Sequence, residues 1–305
     1  SVQNLLYCML VVSANEACNI LAEAVSGSVS AFVNAMNAKA KELGCENTHF
    51  VNPNGLHDPQ HYTSAWDLYL ITAAAMQYDG FMTICDTAHV VIPATNMSEE
   101  RDYWTTNHLL STWRVIGYRD TRAHGIKTGS TDDAGHCLVS SATKNDRNLI
   151  AVVMGAANYT ENKDVNYFTE SKRLLEFGFN NFSRQTILDG SSLDFPEVSV
   201  TLSKTDYVTV RPAGSLSATL PNDIDPAAFQ RELDLPESVE APVEEGQVLG
   251  TVTLTYNGQE YGKVDLVANS SVERSELLYR LDRIQKFFDQ LWVRIVLVVL
   301  AVLLV

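Results

Sequence analysis

Two short segments of this 305-residue chain carry side chains able to move protons and steady a developing anion. Ser13-Ala14-Asn15 offers a hydroxyl and an amide, between the apolar stretch Tyr7 to Val12 and a helix-like run from Glu16 to Val25. Lys127-Thr128-Gly129-Ser130 offers an ammonium, two hydroxyls and a residue with no side chain, framed by Gly125-Ile126 and Thr131. Cleaving an amide by nucleophilic attack needs an activated nucleophile, a proton donor for the leaving amine and donors for the tetrahedral oxyanion. Each segment alone is weak. S-x-N is permissive enough to be chance or a helix cap, and a strand-end lysine is commonly just solvated.

Other chemistries find less support. His49, His57, His61, His89, His108, His124 and His136 form no H-E-x-x-H, and only the loop pair His57 and His61 has zinc-like spacing. Loop and packing roles are expected for them. Cys8, Cys18, Cys45, Cys85 and Cys137 form no C-x-x-C pair and lie mostly beside apolar residues, so buried free thiols are expected. No P-loop or G-x-G-x-x-G occurs. The sequence therefore predicts neither metal nor cofactor. A formal net charge of −15 disfavours nucleic acid, whose phosphates demand a basic surface.

The elements that must position these segments are legible in part. Ser28 or Ser30 can cap a helix with apolar positions Phe32, Val33, Met36, Ala40 and Leu43, stopped by Gly44. Ser64-Ala65-Trp66-Asp67 is an S-x-x-D helix start continued by Leu68, Ile71 and Ala75. The turn formers Asn52-Pro53-Asn54-Gly55 lie between these helices. Cys137–Thr143 and Leu149–Met154 are β-prone, separated by polar residues 144–148, and read as a hairpin. A helix period follows from Phe168 to Phe182, predicting a layered α/β arrangement. After about Arg184 the chain turns to short alternating runs punctuated by prolines, with Asn257-Gly258 as a hairpin signal, and predicts a small all-β domain. From Glu273 onward Leu277, Leu281, Ile284, Phe288 and Leu291 recur at helical spacing, and residues 295–305 are uninterruptedly apolar. That run is shorter than the ~20 residues of a spanning helix. It suits an amphipathic stem entering a membrane, and both ends of the chain are expected to be truncated.

Taken together and in this order, S-x-N and K-T-G resemble the second and third motifs of the serine acyl-transferases that process peptidoglycan. Further stretches are similar to one branch, the low-molecular-weight D-alanyl-D-alanine carboxypeptidases (peptidase family S11). They are Leu5 to Leu10 with Ser13 to Cys18, Asn47 to His57, Gly125 to Thr131, and Glu170 to Leu175. The resemblance runs from residue 1 to about 183 and continues loosely beyond. It implies an α+β fold: a penicillin-binding/β-lactamase-like transpeptidase domain, antiparallel sheet with helices and lacking its N-terminal strands, over 1–183. A small β-rich domain over 184–270 and an amphipathic stem with a truncated transmembrane anchor over 273–305 would follow.

The resemblance also implies roles. Ser13 would relay a proton towards the leaving nitrogen, Asn15 would bond the substrate amide, and Lys127 would sit as a cation beside Ser13. Thr128 would hold the terminal carboxylate, Gly129 would let substrate lie against the strand, and the Ser130 N–H would serve the oxyanion. Implied partners are the peptidoglycan stem peptide, β-lactam antibiotics as inhibitors, and the membrane through the C-terminal helix. The implied location is the bacterial cell membrane, with the catalytic domain on its extracytoplasmic side. The family's first motif, S-x-x-K, supplies nucleophile and base, and it is not among the twelve residues before Ser13. Its one formal match, Ser141-Ala142-Thr143-Lys144, falls after K-T-G and reads as chance. At Gly155-Ala156-Ala157-Asn158 relatives often carry Gly-Gly-Arg, which puts an arginine contact there in doubt. The expected function is a serine-type D-Ala-D-Ala carboxypeptidase, inactive in this form for want of its serine. A non-catalytic peptidoglycan-binding homologue, or less readily a β-lactamase, remains open.

Overall fold

A computed structural model describes residues 1–157, 165–290, 293 and 295. They form two compact units, Ser1–Asn181 and Phe182–Val305.

The first unit opens with helices α1 (Val2–Val11), α2 (Asn15–Ser26) and α3 (Val29–Glu42). Of the two candidate caps, the Ser28 hydroxyl accepts from Ala31 N, and α3 buries Val33 and Ala40. Helix α4 (Ala65–Ala75) starts where Ser64 accepts from Asp67 N at 3.1 Å. Its fully buried residues are Asp67 and Thr72, while the expected Leu68 and Ile71 are only half-buried. A short helix α5 (Phe81–Cys85) and an antiparallel pair, β1 (His89–Ile92) and β2 (Arg101–Trp104), follow.

Strands β3 (Ala123–Thr131), β4 (Gly135–Lys144) and β5 (Arg147–Ala156) then form an antiparallel sheet in the order β3-β4-β5. The hairpin between β4 and β5 is tighter than its polar sequence suggests. Asn145 and Asp146 alone turn the chain, at φ 50° and 58°, because Asn and Asp tolerate the left-handed region that two-residue hairpins demand. Helix α6 (Asn166–Asn181) packs on β4 and β5 through Leu175 and Phe179, which meet Ala142 and Ala151. A second cluster joins Leu109, Ala123, Leu138 and Phe168. Those contacts fix the face of β3 that carries Lys127 opposite Val139.

Among its described residues the second unit is all-β apart from a 3-10 turn at Pro226–Ala228 and a C-terminal helix. It contains β6 (Phe182–Leu188), β7 (Val198–Thr201), β8 (Tyr207–Val208), β9 (Val210–Pro212) and β10 (Leu216–Pro221). It continues with β11 (Gln230–Asp234), β12 (Ser238–Glu240), β13 (Val248–Tyr256) and β14 (Gln259–Ala268). Val198, Val208, Leu220, Val252, Leu254 and Leu266 share one core. Asn257 and Gly258, at φ 51° and 77°, make the expected hairpin between β13 and β14. Helix α7 (Glu276–Asp289), capped by Ser275, buries none of its residues. Among the described residues no helix is long and apolar enough to cross a membrane. The apolar run 295–305 lies outside the described residues except for Ile295.

Candidate active site

The S-x-N segment does not cap a helix. Helix α1 ends at Val11, and Ala14 N reaches back to Cys8 O at 3.0 Å, closing the helix end. Ser13 sits in the left-handed region at φ 61°, a conformation that costs a non-glycine residue about 1–2 kcal/mol. The N-cap of α2 is Ala14, with no side-chain cap bond, so neither Ser13 nor Asn15 is used by the helix itself. The Ser13 hydroxyl instead accepts a hydrogen bond from Lys127 Nζ at 2.8 Å, across 114 residues of sequence.

Lys127 also donates to Thr128 O at 2.6 Å. Burial in the pocket wall lowers its ammonium from the usual 10.5 to about 8. The nearby thiols of Cys18 and Cys85 offer no counter-charge. Burial raises both, Cys85 to about 12, and keeps them protonated at neutral pH. Cys8 and Cys85 are the fully buried thiols, whereas Cys18, Cys45 and Cys137 are half-buried, so burial of the thiols was overestimated from sequence.

Ser13, Asn15, Lys127, Thr128, Gly129 and Ser130 all line one open cavity of about 870 Å³. The Thr128 hydroxyl bonds that of Thr106 at 2.5 Å. A Cβ placed on Gly129 would meet nothing within 4 Å, so the missing side chain leaves clearance on the pocket side and serves no packing need. Gly125 is different: its φ is +98° and a Cβ would come within 3.0 Å of Cys85 Cβ. The Gly125 carbonyl accepts from buried Asn107 Nδ2 at 2.8 Å, and Asn107 Oδ1 accepts from Leu109 N at 3.0 Å. Asn107 thus ties the loop after β2 to the start of β3.

The segment with Asn54, Gly55 and Leu56 forms another part of the lining. Asn37 clamps it by bonding both N and O of Phe50 at 2.8 Å. Buried Asp67 accepts from Asn47 N and from the Thr48 hydroxyl, both at 2.7 Å. The Thr48 bond, first among several, holds that carboxyl below its usual range. Histidines behave mostly as packing or loop residues: His61 Nδ1 accepts from Val51 N, and His57 lies 3.6 Å from Asp133. His108 and His136, however, line the cavity. Sequence reasoning also missed Trp104, Thr106, Trp113 and Arg114 in the lining, since no local pattern marks a strand-end or loop residue that reaches a distant strand.

Ser141, of the stray S-x-x-K, is buried in β4, donates to His124 O at 3.0 Å and does not line this cavity. Of the stretch Gly155 to Asn158, Asn158 lies outside the described residues.

Comparison with known proteins points to one family. Residues 1–158 match the model of the family described as D-alanyl-D-alanine carboxypeptidase, and 184–274 match penicillin-binding protein 5, C-terminal domain. D-alanyl-D-alanine carboxypeptidase DacF of Bacillus subtilis (strain 168) is 28% identical, over 93% of this chain and 69% of its own length. DacA of Haemophilus influenzae is 30% identical, over 90% of this chain and 65% of its own length. The chain thus spans about two-thirds of these relatives. Penicillin binding protein 5 from Haemophilus influenzae superposes with a TM-score of 0.61 at 30% identity, over 90% of this chain and 75% of that one. With a family match over the half of the sequence that builds the Ser13–Lys127 pocket, this chain belongs to the D-alanyl-D-alanine carboxypeptidase family, peptidase S11.

Proposed function

We propose that the chain is the peptide-recognising part of a serine-type D-Ala-D-Ala carboxypeptidase. The observation that carries this is the Lys127 Nζ to Ser13 Oγ bond, which joins S-x-N to K-T-G inside one cavity. The terminal D-Ala carboxylate would rest between the Thr128 and Thr106 hydroxyls and the Lys127 cation. The peptide would run beside β3 in the clearance at Gly129, its amide bonded by Asn15. In acylation a serine oxygen bonds the carbonyl carbon, with the oxyanion held in part by the Ser130 N–H. The C–N bond then breaks, and the proton reaches the leaving amine through Ser13. Water hydrolyses the ester and frees the shortened peptide.

The nucleophile of that reaction is not among these 305 residues, because their one S-x-x-K is the buried Ser141 segment. β-Lactams, whose ring amide imitates the scissile bond, are the expected covalent inhibitors. Intact mass after benzylpenicillin treatment tests the reading, comparing this chain with the same chain preceded by an S-x-x-K-bearing segment. Only the extended protein should gain the acyl mass, on the serine of that segment. Acylation of Ser13 or Ser141 in the shorter chain would refute the assignment, and acylation of neither would favour a non-catalytic peptidoglycan binder.

The same proposal places the protein at the extracytoplasmic face of the membrane. Its support is helix α7, whose Leu277, Leu281, Ile284 and Phe288 are 68, 53, 54 and 49% exposed. Such a stripe suits an interfacial helix.

A further inference from the structure

The β1–β2 pair and the loop from Thr105 to Arg122 together bring a row of aromatic side chains to the cavity rim. The His89 ring lies on Trp104 with centroids 4.4 Å apart, and Trp104 stacks on Trp113 at 4.9 Å and 12° from parallel. The Arg114 guanidinium closes the row over Trp113 at 5.8 Å. At the opposite end the His89 imidazole is hydrogen-bonded to Asp102. The base of the loop is fastened by Asn107 to Gly125 O and by Asp120 N to Leu109 O, and a turn nearer its tip is closed by Trp113 N to the Ser111 hydroxyl. Arg114 is therefore presented from a braced tip, at φ 65° and exposed.

Apart from its place over the Trp113 ring, its charge is unpaired among the described residues. Among the described residues Arg114 has no carboxylate within ion-pair distance. In a chain of net charge −15 the cavity lining holds Lys127 and Arg114 against a single carboxylate, Asp102, which is turned to His89. If Lys127 and Thr128 take the terminal carboxylate, a second cation on the same rim needs a second anion on the same ligand. A guanidinium stacked on an indole keeps its planar fork free for a carboxylate and loses little mobility on binding it.

We infer that Arg114, held by the Trp104–Trp113 stack, is a specificity-determining residue that binds a carboxylate on the substrate peptide upstream of its D-Ala-D-Ala end. This rests on the D-Ala-D-Ala reading of the site. Calorimetric titration of this chain with acetyl-L-Glu-D-Ala-D-Ala and acetyl-L-Gln-D-Ala-D-Ala, which are isosteric, tests it. The acidic peptide should bind about three- to tenfold more tightly at low salt, and the preference should shrink at high salt. Arg114→Gln should abolish the preference by weakening the acidic peptide more than the glutamine peptide, and Arg114→Lys should keep part of it. Equal affinity of the two peptides for the unaltered chain, or a preference that survives Arg114→Gln, would overturn the inference alone. Failure of both peptides to bind would overturn the reading of the groove and the inference with it.

Discussion

Lys127 is a cation in a costly place. Its ammonium is partly desolvated, its neighbouring thiols are neutral, and its partners are a hydroxyl and a carbonyl. Because its folded value, about 8, lies below 10.5, the unfolded chain holds more protons between those limits, so this group's contribution to stability improves as pH rises through that window. Binding of an anionic ligand has the opposite trend, strongest while the lysine is charged. Affinity of the chain for acetyl-L-Gln-D-Ala-D-Ala should fall as pH is raised past about 8, and in Lys127→Met it should be weak and flat with pH. The same variant should melt at a higher temperature at pH 7, since a desolvated charge has been removed. A lower melting temperature would show that the lysine is stabilising and the desolvation argument wrong. Gly129→Ala separates fold from function differently. Its new methyl meets open space, so the melting temperature should hold while peptide affinity drops on the order of tenfold. Unchanged affinity would place the peptide elsewhere.

Among elements, the loop after β2 matters more to the site than its lack of regular structure suggests. Asn107 is the join: it satisfies Gly125 O and Leu109 N while almost fully buried. Asn107→Ala leaves both groups without a partner and should lower the free energy of unfolding by about 1–3 kcal/mol in urea titration with an unchanged m-value. Since β3 begins where Asn107 holds it, the variant should also weaken peptide binding. Loss of stability with full binding would mean that β3 is set by its pairing with β4 alone. Asp67 works likewise on the opposite side of the sequence. Its depressed carboxyl supports the fold above the ordinary carboxylate range, and that support is lost as pH falls through its lowered folded value. Asp67→Asn should therefore flatten the acid limb of the stability profile.

For the molecule as a whole, α7 stands out as an exposed apolar helix. Ser275 caps it and Lys286 bonds Asp282 at 2.8 Å, yet none of its residues is buried. A helix this short gains little from propensity alone, so an apolar surface laid on a bilayer interface would stabilise it. The chain should co-sediment with lipid vesicles, and Leu281→Glu with Ile284→Glu should abolish co-sedimentation without moving the melting temperature. Retention of the double variant on vesicles would remove α7 from the anchoring role. With a net charge of −15, attraction of the bulk protein to anionic lipid is not expected to substitute for it.

Sequence alone determined what depends on neighbours along the chain. The Ser28 and Ser64 caps, the Asn257-Gly258 hairpin and the alternating runs of the β-rich unit were legible because caps, turns and periodicities are local, whereas the six motif residues stood out only through a family resemblance. In α4, however, only the structure shows that a carboxylate bonded to Asn47 N and Thr48 is more deeply buried than the leucine beside it. What tertiary structure decided was meeting. That Ser13 answers to Lys127 and not to its own helix, and that Thr106 bonds Thr128, could not be read locally. Nor could the row of rings that lifts Arg114 to the rim. Each joins residues distant in sequence through the packing of a loop against a strand, and no period or spacing records such a contact.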